Sequence, residues 1–178
     1  RGILEACAPD GQLLGLDVDP DPPACLPAPG ELESAAGLAA QLPPGFVAVH
    51  PGSGSPNKNW AGFGPVIRYW RQHHADTIVV VRGPAETHTP AQREPGVIAV
   101  DGLTLPQVAA LLHDVTLYLG NDSGVSHLAA AVGASGVVLF GPSDPAVWAP
   151  RSSRLRVVHA PEPCVDCPAG AFCLHRLP

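Results

Sequence analysis

Asn121, Asp122, Ser123 and Gly124 stand between an apolar run and an alanine-rich one, with His127 three residues further on. Those residue types at that spacing suit the binding of an anion. Asp122 or Ser123 is placed to cap a helix, whose first N–H groups have no intrahelical partner, and Gly124 lets a ligand approach the backbone closely. A phosphate or diphosphate is the guest such a terminus attracts, because the aligned peptide dipoles leave partial positive charge there. His127, one turn in, faces back over the turn, where its imidazole can donate to a phosphate oxygen or a sugar hydroxyl. The plainer alternative is a capped crossover helix with His127 hydrogen-bonded in the core.

A second polar stretch runs from His50 to Trp60 and includes Ser53, Ser55 and Lys58. Its glycines and serines offer backbone and hydroxyl donors, and Lys58 brings a mobile cation for a phosphate. The stretch lacks the Gly-Lys-Ser/Thr ending of a Walker A loop, and a solvent loop with a hydrated Lys58 is the alternative. In Arg82-Gly83-Pro84-Ala85-Glu86, the Glu86 carboxylate can grip the two hydroxyls of a ribose; a surface Glu opening a helix is the bland equivalent. The tight turn Phe140–Pro145, leading to Val147 and Trp148, is placed to shape a pocket wall.

Short apolar runs that precede these stretches are expected to be strands: 46–49, 78–81, 97–100, 115–119, 137–140 and 155–158. Helical patterns occupy 63–73, 105–113 and 125–132, the last stopping at Gly133, with an ambiguous stretch at 85–93. Strands alternating with helices predict βαβ units, hence a doubly wound parallel sheet of the α/β, Rossmann-like class. The polar stretches then gather beyond the strands' carboxyl ends, where ligands bind in such sheets. Residues 1–45 hold eight prolines with acidic residues between them and read as a linker with one helix, 31–42, ahead of a domain at 46–178.

A length of 178 residues suits one domain, and a net charge of −6 argues against a nucleic-acid partner, which would need clustered Lys and Arg. No apolar run approaches the roughly 20 residues of a transmembrane segment, and the start, Arg1-Gly2-Ile3-Leu4-Glu5, has no signal-peptide pattern. Cytoplasmic residence is expected. The chain contains no Met and reads as part of a longer protein. Cys164, Cys167 and Cys173, with His159 and His175 nearby, have the ligand types of a structural zinc site, but the second matched pair is missing. Reduced thiols or an incidental disulfide are the preferred reading, and the odd total of five cysteines, counting Cys7 and Cys25, argues against a complete disulfide framework. Trp60, Trp70 and Trp148 are read as packing residues, with a sugar platform as the alternative and Trp60 adjoining the phosphate loop, and His73 and His74 as partners of a helix carboxyl end.

Three motifs in order, His50-Pro51-Gly52-Ser53 with Lys58-Asn59-Trp60, then Gly120 to Ala130, then Phe140 to Pro145, resemble glycosyltransferase family 9, the heptosyltransferases of the lipopolysaccharide inner core. The resemblance implies a GT-B enzyme of two Rossmann-like domains facing across a cleft, of which this chain is the C-terminal half and the N-terminal acceptor domain is absent. It implies ADP-L-glycero-D-manno-heptose as the nucleotide-sugar donor and a lipid-linked saccharide as acceptor, met through the missing domain, with the enzyme peripheral at the inner face of the inner membrane. Carried onto this sequence, it gives Ser53 and Lys58 to the diphosphate with Ser55 as helper, and Glu86 to the ribose. It gives the backbone near Leu103 and Thr104 to the adenine, Asp122 to the sugar, and Ser123, Gly124 and His127 to the phosphates. It further implies inverting transfer with a carboxylate base in the missing domain, no required cofactor or metal, and, with that domain absent, weak donor binding and no transfer by this chain alone. A non-catalytic nucleotide or nucleotide-sugar binding module, or a family relative using another donor sugar, is the alternative.

Overall fold

The computed structural model describes residues 30, 42–43, 45–83 and 96–159. Six strands, four α-helices and one 3-10 turn (Pro56–Lys58) run through them. β1 (Val47–His50) and β2 (Ile78–Val81) are apolar at nearly every position and wholly buried, as strands covered on both faces must be. β3 (Val97–Val100), β4 (Leu117–Asn121), β5 (Gly136–Phe140) and β6 (Leu155–His159) complete a sheet ordered β3-β2-β1-β4-β5-β6. Every neighbouring pair is parallel.

The helices follow from local chemistry. α1 (Phe63–His73) buries Phe63 and Ile67, four residues apart and so on one face. α2 (Leu105–His113) starts at a complete capping box: the Thr104 side chain accepts from the Gln107 N–H, and Gln107 Oε1 accepts from the Thr104 N–H at 2.9 Å. α3 (Gly124–Ala131) ends just before Gly133, whose φ of +76° is the left-handed conformation that terminates helices. α4 (Pro145–Trp148) is a single turn capped by Asp144.

Alternation along the strands divides the core in two. Ala48, Val79, Val81, Val138 and Phe140 face one way and pack with Leu111 and Leu112 of α2 and Ala129 of α3. Val47, Val49, Ile78 and Val80 face the other way and pack with Phe63 and Ile67 of α1. The two faces are the period-2 pattern of the strands made into layers.

The Rossmann-like α/β class holds, and most elements lie within a residue or so of the expected bounds. β4 differs: it begins at Leu117 rather than at 115 and continues to Asn121. Gly120 and Asn121 look like turn residues in the sequence, yet both stay in the ladder, opposite His50 of β1 and Leu139 of β5 respectively. A Cβ at Gly120 would overlap the Tyr118 ring, so the strand needs glycine there to keep that ring beside it. The expected helix at 31–42 and the stretch at 85–93 fall outside the described residues, apart from Leu42. No helix among the described residues is long and apolar enough to cross a membrane.

Candidate functional site

The connections change direction between β1 and β4, which neighbour each other although β2 and β3 lie between them in sequence. In an open parallel sheet such a reversal leaves a crevice beyond the strands' carboxyl ends. The loop after β1 and the β4–α3 turn both rise there.

Buried polar groups hold those two segments together. Asn121 is fully buried; its Nδ2 donates to the Pro51 carbonyl at 2.6 Å, and its Oδ1 accepts from the Trp60 N–H at 3.3 Å. One amide therefore clamps both ends of the loop that carries Lys58. Ser126 Oγ donates to the Asn121 carbonyl at 2.6 Å, so the Tyr118 hydroxyl, 2.9 Å away, must be the donor in their shared bond. His50 Nδ1 lies 3.0 Å from the Val81 carbonyl and ties the end of β1 to that of β2. These networks are satisfied, which is what allows polar side chains so deep in the fold.

Above them opens a cleft of about 370 Å³ lined by Gly54, Ser55, Lys58, Asp122, Ser123, Gly124, His127 and Trp148. Lys58 Nζ donates to Asp122 Oδ2 at 2.7 Å, with the carboxylate side chain 8% exposed and the lysine 32%. Ser123 is the N-cap residue of α3, but its hydroxyl makes no cap bond. That oxygen is buried with no hydrogen-bond partner among the described residues. Ser123 thus holds the N-cap position, as expected, without a side-chain bond. Asp122 is held by Lys58 instead, and Ser123 contributes only backbone, its carbonyl accepting from Ser126 N at 3.1 Å and His127 N at 3.4 Å. The N–H groups of Gly124 and Val125 precede those first intrahelical bonds, at the positive end of the helix dipole.

Six of the expected residues, Ser55, Lys58, Asp122, Ser123, Gly124 and His127, converge on this cleft from two loops far apart in sequence. His127 is exposed there, which excludes the buried-core alternative. Ser53 stands behind the cleft: its Oγ is 2.6 Å from the Ser55 carbonyl and 2.7 Å from Asn59 Oδ1, and it accepts from the Ser55 N–H at 3.2 Å. It braces the loop from inside. Leu103 and Thr104 follow β3 and do not line the cleft; Leu103 is packed against the core, and the Thr104 side chain is engaged in the capping box. Glu86, Cys164, Cys167 and Cys173 lie outside the described residues. Among the described residues, no three His, Cys, Asp or Glu side chains converge as metal ligands would.

Sequence reasoning missed Gly54, the clamping role of Asn121, and Trp148 as a cleft residue. Trp60 and Trp70 do pack, Trp60 edge-on against Phe63 at 5.5 Å and Trp70 stacked on His74 at 4.2 Å. Trp148 does not: it is 50% exposed on the cleft wall, carried there by the four-residue α4. The available signal was its place just after the Phe140–Pro145 turn, at the carboxyl end of a central strand. His73 accords with its expected role, its Nδ1 2.8 Å from the Tyr69 carbonyl in the last turn of α1.

Comparison with known proteins agrees with this fold. Residues 13–170 match glycosyltransferase family 9 (heptosyltransferase). Lipopolysaccharide heptosyltransferase 3 of Escherichia coli is 39% identical over 62 residues, which are 34% of this chain and 18% of that protein. A family 9 glycosyltransferase structure from Veillonella parvula superposes with a TM-score of 0.69 at 25% identity, covering 82% of this chain and 45% of its own. An E. coli heptosyltransferase solved with ADP has a TM-score of 0.61 at 20% identity, over 80% of this chain and 44% of its own. The same enzyme solved with ADP-2-deoxy-2-fluoro heptose has a TM-score of 0.58 at 23% identity, over 71% and 41% respectively. This chain thus spans less than half the length of the relatives it matches. With the family match running through nearly all of the described fold and through both cleft loops, the chain belongs to glycosyltransferase family 9, the heptosyltransferases.

Proposed function

We propose that this chain is the donor-binding half of an inverting glycosyltransferase that transfers heptose from ADP-heptose to a lipopolysaccharide core acceptor. The observation that carries the reading is the convergence, in one cleft, of the Lys58 ammonium, His127 and the amino terminus of α3 at Ser123 and Gly124. Those are the groups a diphosphate requires. The solved relatives holding ADP and an ADP-heptose analogue support the choice of nucleotide and sugar.

In this reading the diphosphate lies over the start of α3, taking the Ser123 and Gly124 N–H groups, with Lys58, Ser55 and His127 at its oxygens. Lys58 exchanges Asp122 for phosphate, which frees the carboxylate to accept from a sugar hydroxyl. The adenosine runs along the carboxyl ends of β2 and β3, with Glu86 at the ribose and the backbone near Leu103 and Thr104 at the adenine. β3 is two strand spacings from β1, about 10 Å, a span a nucleoside can bridge. Ser53 acts by holding the loop in shape.

Transfer then needs an acceptor hydroxyl to attack the anomeric carbon from the face opposite the phosphate. The carbon–oxygen bond to the β-phosphate breaks, its electron pair leaves with ADP, and the hydroxyl proton passes to a carboxylate of the companion domain. Positive groups fixed where this charge develops lower the barrier, and Lys58, His127 and the helix terminus are such groups. The arrangement requires no metal. The reading places the enzyme on the cytoplasmic side of the inner membrane, where a lipid-linked acceptor is presented. Calorimetric titration with ADP-heptose, UDP-glucose and GDP-mannose is the test: preference for ADP-heptose is expected, and equal affinity for all three would refute the donor assignment.

A further inference from the structure

Trp148 is a wall of the cleft that phosphate chemistry leaves unused. Among the described residues the exposed large hydrophobic side chains are Tyr69, Ile98, Leu105 and Trp148, and of these Trp148 alone lines the cleft. We propose that its indole stacks on the sugar ring of the donor and so sets which sugar the enzyme accepts. The inference rests on the donor-site reading and assigns a residue to the half of the ligand beyond the phosphates.

The sheet order gives the direction. With the diphosphate over the start of α3, nucleoside and sugar depart on opposite sides of it. The nucleoside takes the β2–β3 side, so the sugar points toward β5, which neighbours β4 on the other side of the switch. Trp148 is carried by the segment that follows β5. It shares the cleft with Asp122, so the same space offers a carboxylate edge for hydroxyls and an aromatic face for the C–H surface of a pyranose. Sugar rings present those two surfaces together, and pockets that combine an apolar wall with a few polar groups bind by both.

The backbone that carries the indole is fixed before any ligand arrives. Asp144 Oδ1 accepts from the Ala146 N–H at 2.9 Å, and the Trp148 N–H donates to the Asp144 carbonyl at 3.0 Å. The Ala149 N–H donates to the Pro145 carbonyl at 3.0 Å, closing the turn. With the backbone fixed this way, only the two side-chain torsions of the indole are left to be ordered on binding.

The test compares ADP with ADP-heptose in calorimetric titrations of the wild type, Trp148→Ala and Trp148→Phe. Trp148→Ala is expected to weaken ADP-heptose about 5- to 10-fold and to leave ADP within about twofold, with Trp148→Phe recovering most of the loss. Thermal melts of each variant establish that it is folded, and the non-aromatic Trp148→Leu takes the place of the alanine variant if that one is not: weaker ADP-heptose binding with ADP unchanged supports stacking. Equal losses for ADP and ADP-heptose would place the ring against the nucleotide and overturn the proposal, as would no change in either. A wild type that does not bind ADP-heptose removes the donor-site reading and this inference with it, an outcome seen before any variant is made.

Discussion

Lys58 Nζ and Asp122 Oδ2 meet at 2.7 Å across 64 residues of sequence, joining the loop after β1 to the turn after β4 at the mouth of the cleft. The pair keeps a cation at the phosphate position and neutralises a carboxylate that is only 8% exposed. Removing the lysine leaves that carboxylate uncompensated. Loss of one partner from a fully buried pair costs roughly 3–5 kcal/mol; with Lys58 a third exposed, Lys58→Met is expected to cost about 1–2 kcal/mol in urea denaturation. An unchanged midpoint would mean that the pair contributes nothing to the fold.

Asn121 is expected to matter more to stability than any ligand-facing residue. Asn121→Ala deletes the bonds to the Pro51 carbonyl and the Trp60 N–H and leaves the first unsatisfied in a buried setting and the second in a half-buried one. At about 1–3 kcal/mol for each orphaned group, a loss near 2–4 kcal/mol is expected from chemical denaturation. Faster amide exchange across residues 51–60 is expected to accompany it, and slow exchange retained there would show that the loop does not depend on the clamp.

Gly120→Ala tests whether β4 needs glycine beside Tyr118. The added methyl overlaps the Tyr118 ring, which is fully buried and hydrogen-bonded to Ser126, so the ring cannot swing into solvent. Overpacking of this kind costs about 1–3 kcal/mol, measurable as a lowered melting temperature. A variant as stable as the wild type would show that the ring has room to shift.

Two expectations concern what the chain does without help. ADP affinity is expected to be unchanged in EDTA, because Lys58 and the α3 terminus supply the positive charge; loss of binding in EDTA would point to a bridging cation. Heptose transfer by this 178-residue chain alone is expected to be undetectable, since the proposed base belongs to a companion domain, and measurable turnover would contradict that division of labour.

The strands and helices are legible because their signals are local: short apolar runs, and Gly133 after an alanine-rich helix. The convergence of the two loops was legible only as a consequence of parallel topology, which brings carboxyl ends to one side. The sequence could not show that Lys58 would find Asp122, or that Asn121 rather than a glycine fixes the loop, because those bonds are settled by strand order and register. The end of β4 was misjudged for the same reason. Gly120 and Asn121 have turn propensities, and the ladders to β1 and β5 override them. Trp148 reads as core by composition; its exposure follows from the length of α4, four residues that begin at Pro145 and are followed closely by Pro150.

The most direct measurement is calorimetric titration of ADP, UDP and GDP into the wild type, Lys58→Ala and Asp122→Ala. The wild type is expected to prefer ADP. Lys58→Ala is expected to weaken ADP by at least about tenfold, the scale of one charge-assisted phosphate contact of about 1.5–3 kcal/mol. Asp122→Ala is expected to leave ADP nearly unchanged, because its proposed partner is the sugar. ADP binding indifferent to Lys58→Ala, in a variant shown to be folded, would contradict the placement of the diphosphate between the two loops.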